Sequence, residues 1–124
     1  GMMSKNDSII AFSFSGKTED IVNGVKYCNQ NNIPTIGISG DSNSLLAKKS
    51  HIHLDICVND EADHLNLAPT SSTTNMMALC DALASSISEQ KGFSRSDFYT
   101  FHPSGSLGTK SSRYPNSSDS PTGK

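Results

Sequence analysis

The sequence predicts an α/β fold of three layers, in which a parallel sheet carries helices on both of its faces. Two observations predict it. Short apolar segments alternate with helical patterns in the order β-α-β-α-β-α, and strands joined in this way run parallel through right-handed crossovers. Each strand is followed by a loop rich in Ser, Thr, Gly or Asn, and the ligands of such folds bind at this end of the sheet.

The strands are predicted from three short apolar runs. The first, Ile9–Phe12, is continuously apolar and is therefore typical of a strand buried on both faces. The second covers residues 34–38, and the third covers residues 51–58, where polar and apolar side chains alternate. Because three strands make a small sheet for this fold, we expect either that a partner chain completes the sheet or that the chain is a fragment.

The helices are predicted from apolar side chains at helical spacing. One covers Glu19–Gln30 and a shorter one covers residues 44–49. A long helix begins between Thr70 and Ser72 and ends before Gly92, and a last helix over residues 95–100 is capped by Ser94. The apolar stripes of the two longer helices consist of Ile21, Val22, Val25 and Cys28 in the first and Met76, Cys80, Leu83 and Ile87 in the second.

Composition argues against several classes of function. The formal net charge is -2 and no basic stripe is visible, which argues against nucleic acid as a partner. No apolar run approaches the roughly 20 residues that span a membrane, and the first residues show no secretory signal. Cys28, Cys57 and Cys80 each lie in an apolar stretch, so we expect reduced core thiols in a cytoplasmic protein. Residues 109–124 are polar and are predicted to form a disordered tail.

Hydroxyl side chains are concentrated where the long helix begins. Thr70, Ser71, Ser72 and Thr73 follow Pro69 in a row. A helix N-terminus presents free backbone N–H groups and the positive end of the helix dipole, so hydroxyls there can form a phosphate site. The alternative is that one of these hydroxyls simply caps a core helix.

Two other kinds of site are disfavoured. The run Ser15-Gly16-Lys17-Thr18 matches the end of a P-loop, but that motif needs a glycine at the position of Ala11. His51 and His53 have a spacing that could hold a metal ion, but no third ligand is evident. We therefore predict neither a nucleotide-hydrolysing P-loop nor a metal site.

Several motifs occur along the chain in one order. They are Ser13-x-Ser15-Gly16-x-Thr18, Glu61-Ala62, Leu67-Ala68-Pro69-Thr70-Ser71-Ser72-Thr73, Gly92-Phe93, Asp97-Phe98 and His102-Pro103-x-Gly105-x-Leu107-Gly108. This ordered set resembles the SIS (sugar isomerase) domain family, and within it the arabinose 5-phosphate isomerase branch. The resemblance covers residues 1–108, which look like the C-terminal portion of an SIS domain that lacks its N-terminal part.

The resemblance implies an activity and a set of site residues. It implies aldose–ketose isomerisation between arabinose 5-phosphate and ribulose 5-phosphate through an enediol, by a cytoplasmic homo-oligomer (a dimer or a tetramer) that needs no cofactor. The residues that match the acid/base positions are Glu61, His102 and Asp20. The residues that match the sugar-phosphate-binding positions are Ser13, Ser15, Thr18, Ser71, Ser72 and Thr73. A histidine has a pKa near working pH, and burial can raise the pKa of a carboxyl group into the same range.

Alternatives to this assignment remain open. Asp60 and Asp63 flank Glu61, so without the resemblance Glu61 would be interpreted as a solvated carboxylate. Asp63-His64 replaces a small residue or cysteine and a proline of the family, which would reshape the loop that carries Glu61. The competing functions are a non-catalytic sugar-phosphate sensor, which needs the hydroxyl-rich loops alone, and an inactive truncated isomerase.

Overall fold

The computed structural model describes residues 3–102. It divides the chain into two compact units, Gly1–Asp81 and Ala82–Lys124, with the division inside one helix. The elements are β1 (Ile9–Phe12), α1 (Glu19–Gln30), β2 (Thr35–Ser39), α2 (Leu45–Lys49), β3 (Ile52–Asp55), α3 (Ser71–Gln90) and α4 (Arg95–Phe101). The predicted tail and the motif from Pro103 to Gly108 lie outside the described residues, so the predicted domain boundary stays a prediction.

The three strands form one parallel sheet in the order β1-β2-β3. Ile10 pairs with Ile36 and Phe12 with Ile38, and on the other side of β2 Ile36 pairs with Ile52. The prediction of an α/β fold with a parallel sheet is therefore confirmed. The third strand is shorter than predicted and ends at Asp55.

The core of the first unit lies between the sheet and helices α1 and α2, which both contact it. A buried apolar cluster joins β1 to the two helices through Ala11, Val22, Val25 and Leu46. The predicted stripe of α1 is confirmed, because Val22, Val25 and Cys28 are buried and Ile21 packs against the cluster.

The first strand is not buried on both faces, so this prediction is wrong. The side chains of Ile10 and Phe12 are 44% and 38% exposed, whereas Ala11 between them is 8% exposed. Because alternate residues of a strand point to opposite faces, the cluster with α1 and α2 covers one face of β1 and leaves the other partly open. A continuously apolar run indicates that both faces of a strand can be buried, but it does not show which elements cover each face.

Helix α3 is largely exposed along the predicted stripe. Met76, Cys80 and Leu83 are half-buried, Ile87 is 48% exposed, and Ser72 is the buried residue of the helix. Over residues 3–102, no helix, α3 included, combines the length and the apolar character needed to cross a membrane.

The prediction that all three cysteines are core thiols holds for one of them. Cys28 is buried, Cys80 is half-buried and Cys57 is exposed. Cys57 follows β3 in a loop, where its backbone N–H donates to Asp55 at 2.8 Å. Cys57 therefore lies outside the core, although its neighbours in the sequence are apolar.

Candidate functional site

The loop after β1 brings two of the predicted phosphate-binding hydroxyls together. Ser13 Oγ lies 2.8 Å from Thr18 Oγ1. Ser13 is buried, and its backbone N–H continues the sheet ladder by donating to the Ile38 carbonyl at 3.1 Å. The Ser15 hydroxyl is exposed and accepts from the backbone N–H of Lys17 at 3.3 Å. These hydroxyls thus lie at the carboxyl end of β1, where the sequence predicted them.

A close backbone contact holds this loop against α2. Gly16 has a φ of +61°, and its carbonyl accepts from the backbone N–H of Leu46 at 2.9 Å. A Cβ atom at Gly16 would overlap the side chain of Ser44. Ser44 is the N-cap of α2, and its hydroxyl accepts from Ala47 at 3.2 Å. The position of the hydroxyl loop therefore depends on the first turn of α2.

The carboxylate of Glu61 occupies the N-terminus of α3. Its Oε2 atom accepts from the backbone N–H groups of Thr70 at 2.8 Å and Ser72 at 3.2 Å, and it lies 3.1 Å from the Thr70 hydroxyl. The anion that the first turn of α3 holds in this structure is thus a carboxylate of the same chain. Glu61 is half-buried and held in place, which disfavours the interpretation as a solvated carboxylate.

These hydrogen bonds set the protonation state of Glu61. The Ser72 side chain, followed by the Thr70 backbone, lowers the pKa of Glu61 from 4.5 to about 2, because hydrogen bonds to the charged form outweigh the cost of its desolvation. The expectation that burial raises the pKa of a catalytic carboxyl group is therefore wrong for Glu61. At neutral pH this side chain is an ionised and weakly basic group.

The loop that carries Glu61 is held by a second carboxylate. Asp63 accepts from the backbone N–H groups of Leu65 at 3.0 Å, Leu67 at 2.8 Å and Ala68 at 2.7 Å. Asn66 Oδ1 accepts from the backbone N–H of Glu61 at 2.6 Å. Sequence reasoning did not assign Asp63 or Asn66 to the site, and it placed Thr70 only in the row of hydroxyls at the start of α3. The one signal for the loop was the departure from the family pattern at Asp63.

The remaining hydroxyls at the start of α3 differ in their surroundings. Ser71 and Thr73 line an open cavity of about 540 Å³, together with Thr70. The Thr73 hydroxyl donates back to the Thr70 carbonyl at 2.9 Å. Ser72 is 2% exposed and contributes its backbone N–H to Glu61. Ser71 and Thr73 therefore line the open cavity, whereas Ser72 is buried in the protein.

The other two predicted acid/base residues belong to other helices. Asp20 is in the first turn of α1 and lines a groove of about 290 Å³ whose other walls include Ile10 and Val25, so it faces a different surface from Ser71 and Thr73. His102 belongs to the second unit, where it ends α4. Its ring stacks on Phe98 with 4.4 Å between the ring centroids, and Nδ1 lies 3.2 Å from the Phe98 carbonyl oxygen.

The two histidines with possible metal spacing each have a protein partner. His51 Nδ1 lies 2.9 Å from Thr35 Oγ1, and His53 Nε2 lies 2.8 Å from Ser39 Oγ. Thr35 and Ser39 are both buried. Across residues 3–102, no group of three or more His, Cys, Asp or Glu side chains could hold a metal ion. Each of these two histidines is thus within hydrogen-bond distance of a buried hydroxyl of β2.

Comparisons with known proteins agree on one family. The family model described as the SIS domain matches residues 1–86. The arabinose 5-phosphate isomerase KdsD of Francisella tularensis is 44% identical to this chain over 110 residues, which are 89% of this chain and 34% of that protein. The KdsD of Escherichia coli K12 is 39% identical over the same share of each chain.

Solved structures show the same similarity. A protein of Escherichia coli CFT073 in complex with arabinose 5-phosphate has a TM-score of 0.79 and 36% identity, and the match covers 83% of this chain and 55% of that one. A putative sugar-phosphate isomerase from Listeria monocytogenes has a TM-score of 0.77 and 26% identity, with 82% and 53% covered. The chain spans about a third of the length of the curated relatives it matches, at 34%.

Proposed function

The chain belongs to the SIS domain family, and on this premise we propose that it takes part in the isomerisation of a phosphorylated sugar. The substrate we propose is arabinose 5-phosphate, which is converted to ribulose 5-phosphate through an enediol. The observation that carries the proposal is the open cavity that Ser71 and Thr73 line at the N-terminus of α3, where the Glu61 carboxylate is held. As the resemblance implies, we expect a cytoplasmic homo-oligomer.

The proposed phosphate site has two parts. Ser13 and Thr18 form one hydroxyl pair at the end of β1, and Ser15 lies in the same loop. Ser71 and Thr73 form the other part at the cavity. Hydroxyl groups of this kind donate to phosphate oxygens, and hydrogen bonds to a charged group are stronger than those between neutral groups. Ser72 contributes by fixing the first turn through Glu61.

The proposed acid/base groups are two carboxylates and one imidazole. Isomerisation moves a proton between C1 and C2, and a carboxylate or imidazole must reach these carbons or their oxygens. We assign Glu61 as the carboxylate, which is ionised and can accept a proton, and His102 as the imidazole, with Asp20 as the third candidate. All three of these hydrogen bonds go to Oε2, so we assign the other carboxylate oxygen, Oε1, as the one that contacts the substrate.

The test is the formation of ribulose 5-phosphate from arabinose 5-phosphate by the full chain. We expect turnover by the parent chain and a loss of roughly 100-fold or more in kcat in Glu61→Gln, which is the usual contribution of a general acid or base. The matched control is Glu89→Gln, since Glu89 is an exposed glutamate of α3 outside the site. It should keep the parent kcat.

A second function is favoured by the pKa of Glu61. A carboxyl group with a pKa of about 2 is far from the range that suits general acid/base catalysis, and its hydrogen bonds already stabilise α3. Binding of a sugar phosphate without turnover, by a folded parent chain and by Glu61→Gln alike, would support a sensor instead of an enzyme. A folded chain with neither binding nor turnover would support the truncated isomerase.

A further inference from the structure

We propose that Asp63 is a positioning residue that folds the loop over residues 60–70 so that the Glu61 carboxylate reaches the first turn of α3. This inference concerns a residue for which the resemblance implies no role, since the family has a small residue or a cysteine there. Its catalytic consequence rests on the proposed function, in which Glu61 takes part in the reaction. The geometry of the loop can be tested with or without turnover.

The Asp63 side chain accepts hydrogen bonds from three backbone N–H groups. Its Oδ1 atom accepts from Leu67 at 2.8 Å and from Ala68 at 2.7 Å, and its Oδ2 atom accepts from Leu65 at 3.0 Å. The Asp63 carbonyl also accepts from the backbone N–H of Asn66 at 3.0 Å. The chain therefore turns tightly around this carboxylate, and an apolar side chain at this position would leave the N–H groups without these bonds.

The turn around Asp63 sets the position of Asn66. Asn66 has a φ of +55°, which is a left-handed conformation that costs energy outside glycine and is adopted most readily by Asn and Asp. In this conformation its side chain accepts from the backbone N–H of Glu61 at 2.6 Å and donates to Asp60 at 2.9 Å. Asn66 thus connects the turn to the backbone of Glu61.

A second connection holds the other side of Glu61. The backbone N–H of Ala62 donates to Thr70 Oγ1 at 2.7 Å, while the backbone N–H of Thr70 donates to Glu61 Oε2 at 2.8 Å. Because Leu67 and Ala68 are tied to Asp63, the chain arrives at Thr70 in the position that these two bonds require. Asp63 acts on the Glu61 carboxylate through this path, without a direct contact.

The protonation state of Asp63 fits this role. Desolvation raises the pKa of Asp63, but the backbone hydrogen bonds of Ala68, Leu67 and Leu65 outweigh it, so that the pKa lies below its ordinary value. At neutral pH Asp63 is therefore ionised, and both of its oxygens accept hydrogen bonds. Backbone N–H bonds to a carboxylate are also stronger than bonds to a neutral acceptor, which holds the loop in one conformation.

The experiment is an NMR titration of the Glu61 carboxyl carbon in the full chain and in Asp63→Ala. We expect the Glu61 pKa to rise in the variant from about 2 toward the ordinary value of 4.5, because Glu61 loses its positioned donors. The sign is diagnostic, since removal of a nearby negative charge alone would lower the pKa of Glu61. The control is Asp7→Ala, which removes a carboxylate that accepts from the Ser4 backbone at 2.7 Å, far from this loop in sequence.

An unchanged or lowered Glu61 pKa in a folded Asp63→Ala variant would overturn the proposal. If that variant does not fold, Asp63→Asn decides, because its neutral amide oxygen accepts more weakly than a carboxylate from Leu67 and Ala68, and its NH2 group cannot accept from Leu65. We then expect amide hydrogen exchange at Thr70 and Ser72 to be faster than in Asp7→Ala, by roughly tenfold for one lost hydrogen bond. Equal exchange rates would contradict a positioning role.

The test of Asp63 can be interpreted whether or not the proposed function is correct. Where the parent chain turns over arabinose 5-phosphate, Asp63→Asn should lower kcat more than it raises KM, because it displaces Glu61 and leaves the hydroxyl pair of Ser13 and Thr18 after β1 in place. Where the parent shows no turnover, the proposed function fails, and the titration and exchange measurements still decide on Asp63.

Discussion

Glu61 is tied to Thr70 twice, since its Oε2 atom accepts from the Thr70 backbone N–H at 2.8 Å and lies 3.1 Å from the Thr70 hydroxyl. The first turn of α3 therefore has one carboxylate already bound where a phosphate was predicted. A substrate phosphate at the cavity beside Ser71 and Thr73 has to bind next to this carboxylate or displace it. If the proposed function is correct, helix capping and sugar-phosphate binding take place at the same turn.

Acid should destabilise the protein through Glu61. The folded-state pKa of Glu61 is about 2 against an ordinary value of 4.5, so its stabilising contribution is complete above pH 4.5 and is lost as the pH falls toward 2. Thermal unfolding followed by circular dichroism should therefore show a shallower fall of Tm over this pH range in Glu61→Gln than in the parent chain. A slope equal to that of the parent would mean that these hydrogen bonds do not stabilise the fold.

A methyl group at Gly16 should destabilise the first unit. Gly16→Ala places a Cβ at a φ of +61°, where it overlaps the Ser44 side chain, and the left-handed conformation alone costs about 1–2 kcal/mol. Gly24→Ala is the control, because Gly24 lies within α1 and a Cβ there meets nothing within 4 Å. It should stabilise the protein by roughly 0.5–1 kcal/mol. Urea unfolding measures the free energy of unfolding of both variants. Equal effects of Gly16→Ala and Gly24→Ala would contradict the close contact at Gly16.

Two adjacent leucines should differ in their contribution to stability. Leu46 is 0% exposed and belongs to the core cluster, so Leu46→Ala should lower the free energy of unfolding by about 2–5 kcal/mol. Leu45 is 53% exposed, and Leu45→Ala should change it by less than about 0.5 kcal/mol. Denaturant titration of the two variants compares them directly, and a large effect at Leu45 would place a further contact on that face of α2.

Loss of the buried hydroxyl of Ser13 should weaken sugar-phosphate binding. Ser13 Oγ lies 2.8 Å from Thr18 Oγ1, so Ser13→Ala removes one proposed donor and the partner that orients the other. Hydrogen bonds to charged groups contribute about 1.5–3 kcal/mol, which predicts a Kd for arabinose 5-phosphate at least roughly tenfold higher. Calorimetric titration measures it, with Ser86→Ala, an exposed residue of α3, as the control. An unchanged Kd in a folded variant would remove Ser13 from the site.

The sequence by itself determined the local elements. The bounds of α1, Glu19–Gln30, are those predicted, and the predicted cap at Ser94 is confirmed by a capping box with Asp97. The strand Ile9–Phe12 is also where its apolar run predicted it. Helical periodicity, capping and apolar runs depend on neighbours a few residues apart, and such neighbours can be read from a single sequence.

Tertiary structure alone decided how these pieces combine into a site. Glu61 meets Thr70 and Ser72 because the turn around Asp63 returns the chain to α3, and this contact lowers the pKa of Glu61, whereas burial alone would raise it. The exposure of Ile10 and Phe12 likewise depends on which elements cover each face of the sheet. Hydrogen bonds and burial between distant residues follow from the path of the whole chain, so residue types and spacing predict which groups are available but not which of them meet.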